Sequence, residues 1–158
     1  MDHRKWLKQA IQLASNNVAN GHGGPFGAVV VHNGTVIGQG VNESAVTHDP
    51  TAHAEIQAIR QACRHMGTST LEGAVLYASG EPCPMCMAAA YWAKIQAVYV
   101  ACPKAEAGKI GYPDALAIYF EDMQKSPENR SIPVHTIMVE EYLDPFLLWK
   151  KRTQENAQ

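Results

Sequence analysis

Two cysteines stand three positions apart in the segment "SGEPCPMCMAA" (79–89), where Cys83 follows a proline and Cys86 falls in the first turn of a predicted helix. Cysteines at this spacing could form a disulfide, a redox pair, half of a structural zinc site or part of a catalytic metal site. The start of a helix favours the thiolate form, because its unsatisfied N–H groups and its dipole stabilise negative charge. The pair therefore predicts a functional site, and the residues that lie near the two cysteines decide which of these alternatives applies.

The other two cysteines help to separate these alternatives. Cys63 lies on the apolar face of a predicted helix, which favours the role of a small buried hydrophobe, and Cys102 has no partner three residues away. A structural zinc site usually closes with four protein ligands, and the sequence offers no second pair of this kind. The flanking pattern of a thioredoxin-like site is missing, and disulfides are rare in a reducing compartment. Metal ligation is therefore the favoured interpretation.

A histidine is the expected third ligand. Of the seven histidines, His53 opens a predicted helix together with a carboxylate, in "HAE", whereas the others lie near a terminus, in loops, or in solvated or core positions. Three protein ligands would leave the fourth tetrahedral position for water or hydroxide, as in catalytic zinc sites. Glu55 could be an ordinary solvated glutamate, but beside such a water it could also accept a proton and pass it to a leaving amine.

The composition limits the setting in which this chemistry takes place. A chain of 158 residues with 46% hydrophobic and 18% charged residues is long and apolar enough for one globular domain, spanning 1–158. With 13 basic and 15 acidic residues it has no overall field that would attract nucleic acid. No run approaches the ~20 apolar residues that span a bilayer, and no signal peptide is evident. We therefore expect a cytoplasmic protein without a nucleic-acid or membrane partner.

The elements alternate in a way that predicts an α/β sandwich around a mixed sheet. Short β-α-β connections favour parallel neighbours, which would bring the starts of the helices carrying His53 and Cys83 to one edge of the sheet. The face of the first helix that is predicted to be buried contains Trp6, Leu7, Ala10, Ile11, Leu13, Ala14 and Val18. The predicted elements are a helix at 2–20, a hairpin at 26–41 turning at Asn33-Gly34, a helix at 51–66 begun by Asp49 and Pro50, a strand at 74–79, a helix at 84–94, a strand at 97–101, a short helix at 115–122, a strand at 132–139, and a helix at 140–151 interrupted at Pro145.

The pair of motifs "HAE" and "PCPMC" resembles the signature of zinc-dependent nucleobase and nucleoside deaminases. The resemblance is closer to bacterial guanine deaminases of the cytidine-deaminase fold, and it extends over almost the whole chain. It rests on "GGPFGAVVV" (23–31), "DPTAHAE" (49–55), "EPCPMCMAAAYWA" (81–93), "AEAG" (105–108) and the later "IP" and "PF" segments. It implies a three-layer sandwich with helices on both faces of the sheet, and hydrolytic deamination of guanine to xanthine and ammonia in purine metabolism.

The resemblance also assigns residues and partners. It implies one Zn²⁺ per chain held by His53, Cys83 and Cys86, with Glu55 moving protons. It places Phe26, Asn42 and Trp92 against the base, and Asp114 and Glu141 near the substrate's amino group. It further implies a homodimer in which the C-terminal segment 140–158 is exchanged between subunits.

From the residues alone, several of these positions have other interpretations. Phe26 and Trp92 could be core aromatics, Asn42 could end a turn, and Asp114 could cap the short helix that follows it. A purine site nevertheless suits an apolar slot with an aromatic wall, and an Asn amide can both donate and accept hydrogen bonds.

The alternatives to a guanine deaminase are a deaminase of another amino-purine or amino-heterocycle, a tRNA adenosine deaminase and a non-catalytic zinc-binding module. A tRNA enzyme needs clustered cations for phosphate contacts, and the tight basic run here is the short segment 150–152. A zinc module would not need Glu55.

Overall fold

The computed structural model describes residues 2–156. The chain forms two compact units, Met1–Asp114 and Ala115–Gln158. The first unit contains the whole sheet and the residues of the metal motif. None of the described helices is long and apolar enough to cross a membrane.

A four-stranded mixed sheet organises the first unit, in the order β2-β1-β3-β4. Strand β1 is antiparallel to both of its neighbours, β2 and β3, whereas β3 and β4 run parallel, so the predicted mixed sheet is confirmed. The turn of the hairpin lies at Asn33 and Gly34, whose φ angles of 49° and 76° are both positive, as a type I′ turn requires. The strands are β1 (Gly27–His32), β2 (Thr35–Val41), β3 (Val75–Gly80) and β4 (Ala97–Cys102).

Helices cover both faces of this sheet, which makes three layers. Helix α1 (His3–Ala19) buries Trp6 on one face, in a cluster with Val29, Val31 and Tyr77. Helices α3 (Ala54–Met66) and α4 (Pro84–Trp92) share the opposite cluster, whose sheet residues include Ala28, Val30 and Leu76. Alternation along β1 produces both clusters, because successive strand side chains point to opposite faces.

The buried face of α1 differs from the predicted one. Trp6, Ala10 and Ala14 are buried as expected, but Ile11 and Val18 are 44% and 50% exposed. Asn17 takes the next buried position, at 4% exposure. The positions 10, 14 and 17 follow helical periodicity, so an amide stands where the pattern of the helix calls for an apolar side chain.

Two glycines of β2 let α3 lie unusually close to the sheet. A Cβ atom on Gly38 would stand 2.3 Å from the carbonyl oxygen of Ala58, and one on Gly40 would stand 2.3 Å from that of Ala54. Neither distance leaves room for a side chain. The alanines at 54, 58 and 62 of α3 are all buried, so both surfaces at this contact are built of small residues.

Several boundaries differ from the sequence prediction. Helix α3 begins at Ala54, not at residue 51, because the Asp49 carboxylate accepts hydrogen bonds from Thr51 N (2.8 Å) and Thr51 Oγ1 (2.6 Å) and forms a separate turn. Helix α4 ends at Trp92. The short helices α2 (Ser44–Thr47) and α5 (Lys104–Lys109) were not predicted.

The second unit is helical in its described part. It contains α6 (Ala117–Met123), a 3₁₀ turn (Pro127–Asn129) and α7 (Asp144–Glu155). The predicted strand at 132–139 is wrong: the segment is irregular, and a strand needs a neighbouring edge to pair its backbone groups, which a unit of helices does not provide. Pro145 does not interrupt the last helix but lies in its first turn, where a missing N–H costs nothing.

Candidate metal and deaminase site

The side chains of His53, Cys83 and Cys86 meet in the first unit and could hold a metal ion. The Sγ atoms of Cys83 and Cys86 each lie 3.6 Å from His53 Nδ1, and they are 3.7 Å from each other. This sulfur–sulfur separation excludes a disulfide, since a bonded pair stands about 2.05 Å apart. Both thiols are free, as are those of Cys63 and Cys102.

The three distances fit one tetrahedral zinc ion. Zinc bonds of about 2.3 Å to sulfur and about 2.0–2.1 Å to nitrogen, at tetrahedral angles, separate two sulfurs by about 3.8 Å and a sulfur from a nitrogen by about 3.5–3.6 Å. The observed separations of 3.7 Å and 3.6 Å agree with these values to about 0.1 Å. The chemistry of the donor set, two thiols and one imidazole, also suits zinc.

The sheet brings these ligands together although the strands that precede them, β2 and β3, are not adjacent. Strands β2 and β3 are parallel to each other because each is antiparallel to β1, which lies between them. Their carboxyl ends therefore lie at the same edge, but not as the neighbouring units that the sequence suggested. His53 and Cys83 occupy the N-cap positions of α3 and α4, and neither side chain caps its own helix. Both side chains are thus available as ligands.

Glu55 is the buried carboxylate of the site. It lies in the first turn of α3 and is only 4% exposed, which excludes an ordinary solvated helix residue. Cys86 Sγ stands 3.4 Å from Glu55 Oε2. Burial raises the pKa of Glu55 above its usual range, and a carboxyl group with a raised pKa is suited to exchange protons near neutral pH.

The pKa values of the three candidate ligands are shifted in different directions. The pKa of Cys83 is lowered to about 4, chiefly because of its hydrogen bond with Cys86 and also because His53 is close. The pKa of Cys86 is raised, first by Cys83 and then by burial. The hydrogen bond with Cys83 raises the pKa of His53. One thiolate therefore forms readily at the start of α4, as expected for a metal ligand.

Asn42 and Phe26 lie beside each other at the end of the first hairpin. Asn42 N donates to Phe26 O at 3.2 Å. The Asn42 Oδ1 atom accepts a hydrogen bond from Ser44 N at 3.2 Å, which orients the amide so that Nδ2 is the group left to donate to a ligand. Phe26 is half-buried and packs edge-on against Tyr112, with ring centroids 5.4 Å apart. It also lies close to β3, because a Cβ atom on Gly80 would stand 2.8 Å from its ring.

Trp92 lies at the opposite end of α4 from Cys83. Trp92 is 85% exposed and ends α4, about 13 Å along the helix axis from Cys83 at about 1.5 Å per residue. Within one chain it is therefore not a core aromatic, and its contact with the base stays a prediction. Asp114 is partly exposed and forms an ion pair with Lys104. Glu141 is an exposed residue of the second unit. The roles of Asp114 and Glu141 stay predictions.

Comparison with known proteins is decisive for the family. The family described as "Cytidine and deoxycytidylate deaminase zinc-binding region" matches residues 1–102. The chain belongs to this deaminase family. Guanine deaminase of Bacillus subtilis is 43% identical over 150 residues, which make up 95% of each chain. The crystal structure of guanine deaminase from that organism has a TM-score of 0.89 and 42% identity, and the match covers 96% of this chain and 95% of that one.

A second kind of deaminase is related over a shorter stretch. The tRNA-specific adenosine deaminase of Agrobacterium fabrum is 43% identical over 86 residues, which are 54% of this chain and 57% of that protein.

The cytidine-deaminase-like fold expected from the sequence is confirmed by the family match and by the B. subtilis structure. The resemblance to bacterial guanine deaminases is confirmed as well.

Two polar residues near this deaminase site were not singled out by the sequence. Ser79 is buried and its Oγ accepts a hydrogen bond from Gly27 N at 3.0 Å, tying β3 to the start of β1. Asn17 donates hydrogen bonds to Gly24 O and Asn42 O, both at 2.9 Å. The sequence did contain a signal for Asn17, because it is a polar residue at a position of α1 where helical periodicity predicts an apolar side chain.

Proposed function

We propose that the chain is a zinc-dependent guanine deaminase that converts guanine and water to xanthine and ammonia. The observation that carries this is the buried Glu55 carboxyl group beside a ligand set whose distances match tetrahedral zinc. Identity of 43% with B. subtilis guanine deaminase, over 95% of each chain, supports guanine as the substrate. One zinc ion per chain, held by His53, Cys83 and Cys86, is part of the proposal.

The residues of the chain divide the work between binding and proton transfer. Zinc, when bound, supplies a Lewis acid that makes water a competent nucleophile at neutral pH. Glu55 accepts a proton from the attacking water and delivers it to the ring nitrogen beside C2. A C2–O bond forms in this step. Glu55 then takes the remaining proton of the added hydroxyl group and passes it to the amino group, the C2–N bond breaks with release of ammonia, and the oxygen stays as the C2 carbonyl of xanthine. Asp114, with Glu141 as a further candidate, accepts a hydrogen bond from that amino group.

The orientation of Asn42 favours guanine over adenine. With Oδ1 occupied by Ser44 N, the amide presents Nδ2, which is a donor. Guanine has a carbonyl oxygen at C6 where adenine has an amino group, so guanine can accept a hydrogen bond from Asn42 Nδ2. Adenine would place its own N–H donor against this donor. A site built around such a hydrogen bond rejects the wrong partner by up to ~10⁴-fold, because buried polar groups are left unpaired.

The deciding experiment is a comparison of substrates with the zinc-loaded chain. Guanine, adenine, guanosine, cytosine and an adenosine-containing tRNA stem-loop are incubated separately, and chromatography of the bases is combined with an ammonia assay. We expect xanthine and ammonia in equal amounts from guanine. Efficient turnover of another base without xanthine would overturn the substrate assignment, turnover of the stem-loop would favour the tRNA enzyme, and no turnover with zinc retained would favour a binding module.

A further inference from the structure

Asn17 is a buried polar residue that the proposed chemistry does not use. It lies on the same buried face of α1 as Ala10 and Ala14, and it is only 4% exposed. Its Nδ2 atom donates two hydrogen bonds of 2.9 Å, one to Gly24 O and one to Asn42 O. Gly24 is 7 residues away in sequence and Asn42 is 25 away, so one amide group joins a loop to the end of a strand.

Both hydrogen bonds end on backbone that carries a proposed base-binding residue. Asn42 is one of these residues itself. Gly24 O also accepts a hydrogen bond from Phe26 N at 2.8 Å, and Phe26 O accepts one from Asn42 N at 3.2 Å. The three segments thus form a closed circuit of hydrogen bonds in which Asn17 supplies two of the donors.

The backbone of this loop has little freedom to relax if Asn17 is changed. A Cβ atom on Gly23 would stand only 2.2 Å from Asn42 O, so the backbone of the loop is in close contact with the end of β2. The backbone oxygen of Asn17 also accepts from His22 N at 3.0 Å and so holds the first residues of the loop. The side chain and main chain of one residue therefore fix the loop at both of its sides.

We infer that Asn17 is a positioning residue for the substrate base, acting by fixing Phe26 and Asn42 relative to each other. The inference rests on the proposed function, because it concerns the same site. An uncharged group with two N–H donors is what this location demands. A carboxylate would place negative charge against two carbonyl oxygens, and an alanine would remove one hydrogen bond from each of these oxygens.

A neighbouring asparagine supplies a matched control. Asn16 is exposed and acts in the opposite sense, since its Oδ1 accepts a hydrogen bond of 2.9 Å from Gln12 Nε2. The change Asn16→Asp keeps that acceptor, whereas Asn17→Asp removes both donors, although the two substitutions are chemically identical. Asn17→Ala removes the donors without adding charge. Zinc content, melting temperature, kcat and KM for guanine are measured for all three variants and for the wild type.

We expect KM for guanine to rise roughly tenfold in both Asn17 variants, with the zinc content and kcat per zinc-loaded chain close to wild type, and Asn16→Asp to leave KM within about twofold. In an Asn42→Ala background, Asn17→Ala should raise KM by less than about threefold, because residues that act through one another are not additive. A merely structural role would lower the melting temperature or the zinc-loaded fraction and leave KM unchanged.

Three results overturn the inference. The first is an unchanged KM in folded, zinc-loaded Asn17 variants. The second is an effect of Asn17→Ala on KM that is undiminished in the Asn42→Ala background. The third is failure of both Asn17 variants to fold. An inactive wild type contradicts the proposed function. Activity of the wild type on a base other than guanine contradicts the substrate alone, and the Asn17 comparison is then made with that base.

Discussion

Replacing Gly40 with alanine tests whether the close approach of α3 to β2 positions the metal and proton-transfer residues. The new Cβ atom would stand 2.3 Å from Ala54 O and 2.6 Å from Ala58 N, where ordinary contacts measure 3.4–4 Å. The first turn of α3 must therefore move away from the sheet by roughly 1 Å, because a close-packed interior has no space to absorb the methyl group. Gly40 does not adopt a positive φ, so the effect is steric.

This displacement falls on two of the residues that are proposed to bind zinc and transfer protons. His53 and Glu55 flank Ala54, whereas Cys83 and Cys86 belong to a different helix. Metal sites tolerate about 0.2 Å of error in ligand distances, so a shift near 1 Å should weaken zinc binding. Misplacement of a reacting group by about 1 Å can also lower turnover by ~10²-fold. We expect Gly40→Ala to lose zinc to a chelator more readily than wild type and to retain about one hundredth of its activity.

Gly38→Ala is the matched control. Its Cβ atom would meet Ala58 O at 2.3 Å and Ala62 N at 2.7 Å, the same kind of clash about one helical turn further from His53. Both variants should lose about 1–3 kcal/mol of unfolding free energy, measured by urea denaturation, because overpacking has this typical cost. Zinc affinity and activity per zinc-loaded chain should fall mainly in Gly40→Ala. Equal losses of activity in the two variants at equal stability would refute the argument.

Four further results are expected. Glu55→Gln should keep its zinc and fold while turnover falls by ~10²–10⁴-fold or more, and a loss below about tenfold would leave Glu55 without a chemical role. Cys83→Ala should lose zinc and activity together in metal analysis, and full retention of both would contradict the ligand set. Asp114→Asn should reduce guanine turnover without releasing zinc. Lys104→Met, which removes the ion-pair partner of Asp114, should be milder, and equal losses would assign the effect to the ion pair. The resemblance implies a dimer with an exchanged C-terminal segment, so deletion of residues 153–158 should be mild, whereas deletion from Tyr142 onward should impair assembly in sedimentation and activity in rate measurements. An active, stable monomer from the longer deletion would contradict the proposed exchange.

The reading of the fold from sequence succeeded where short-range preferences dominate. Asn33 and Gly34 turn the hairpin because both tolerate positive φ, and the apolar runs around them form strands. It was wrong at 132–139, where the β-like run has no sheet edge to pair with among the described residues of its unit. It also placed the start of α3 too early, because the side chain of Asp49 forms a turn with Thr51 and does not cap the helix. Propensity describes a segment, whereas pairing and capping depend on what is available around it.

The chemistry-bearing residues were accessible from sequence because their spacing is local. Cys83 and Cys86 are three apart on one helix, and His53 and Glu55 are two apart at the start of another, so each pair is fixed by the geometry of a single turn. That the two pairs meet needed the parallel relation of β2 and β3, which β1 enforces from between them. The exposure of Trp92 at the far end of α4 was likewise invisible in the sequence.

Short stretches of sequence are enough to predict the ligand types, the general acid/base candidate and the family. The way these residues are held is visible only in the folded chain: it includes the burial of Glu55, the donor orientation of the Asn42 amide, the two hydrogen bonds from Asn17 and the glycine contact under α3. The physical reason is that ligand spacing depends on the dihedral angles of one short segment. Burial, amide orientation and close approach depend on atoms contributed by segments far apart in the chain, and only folding brings those atoms within contact distance.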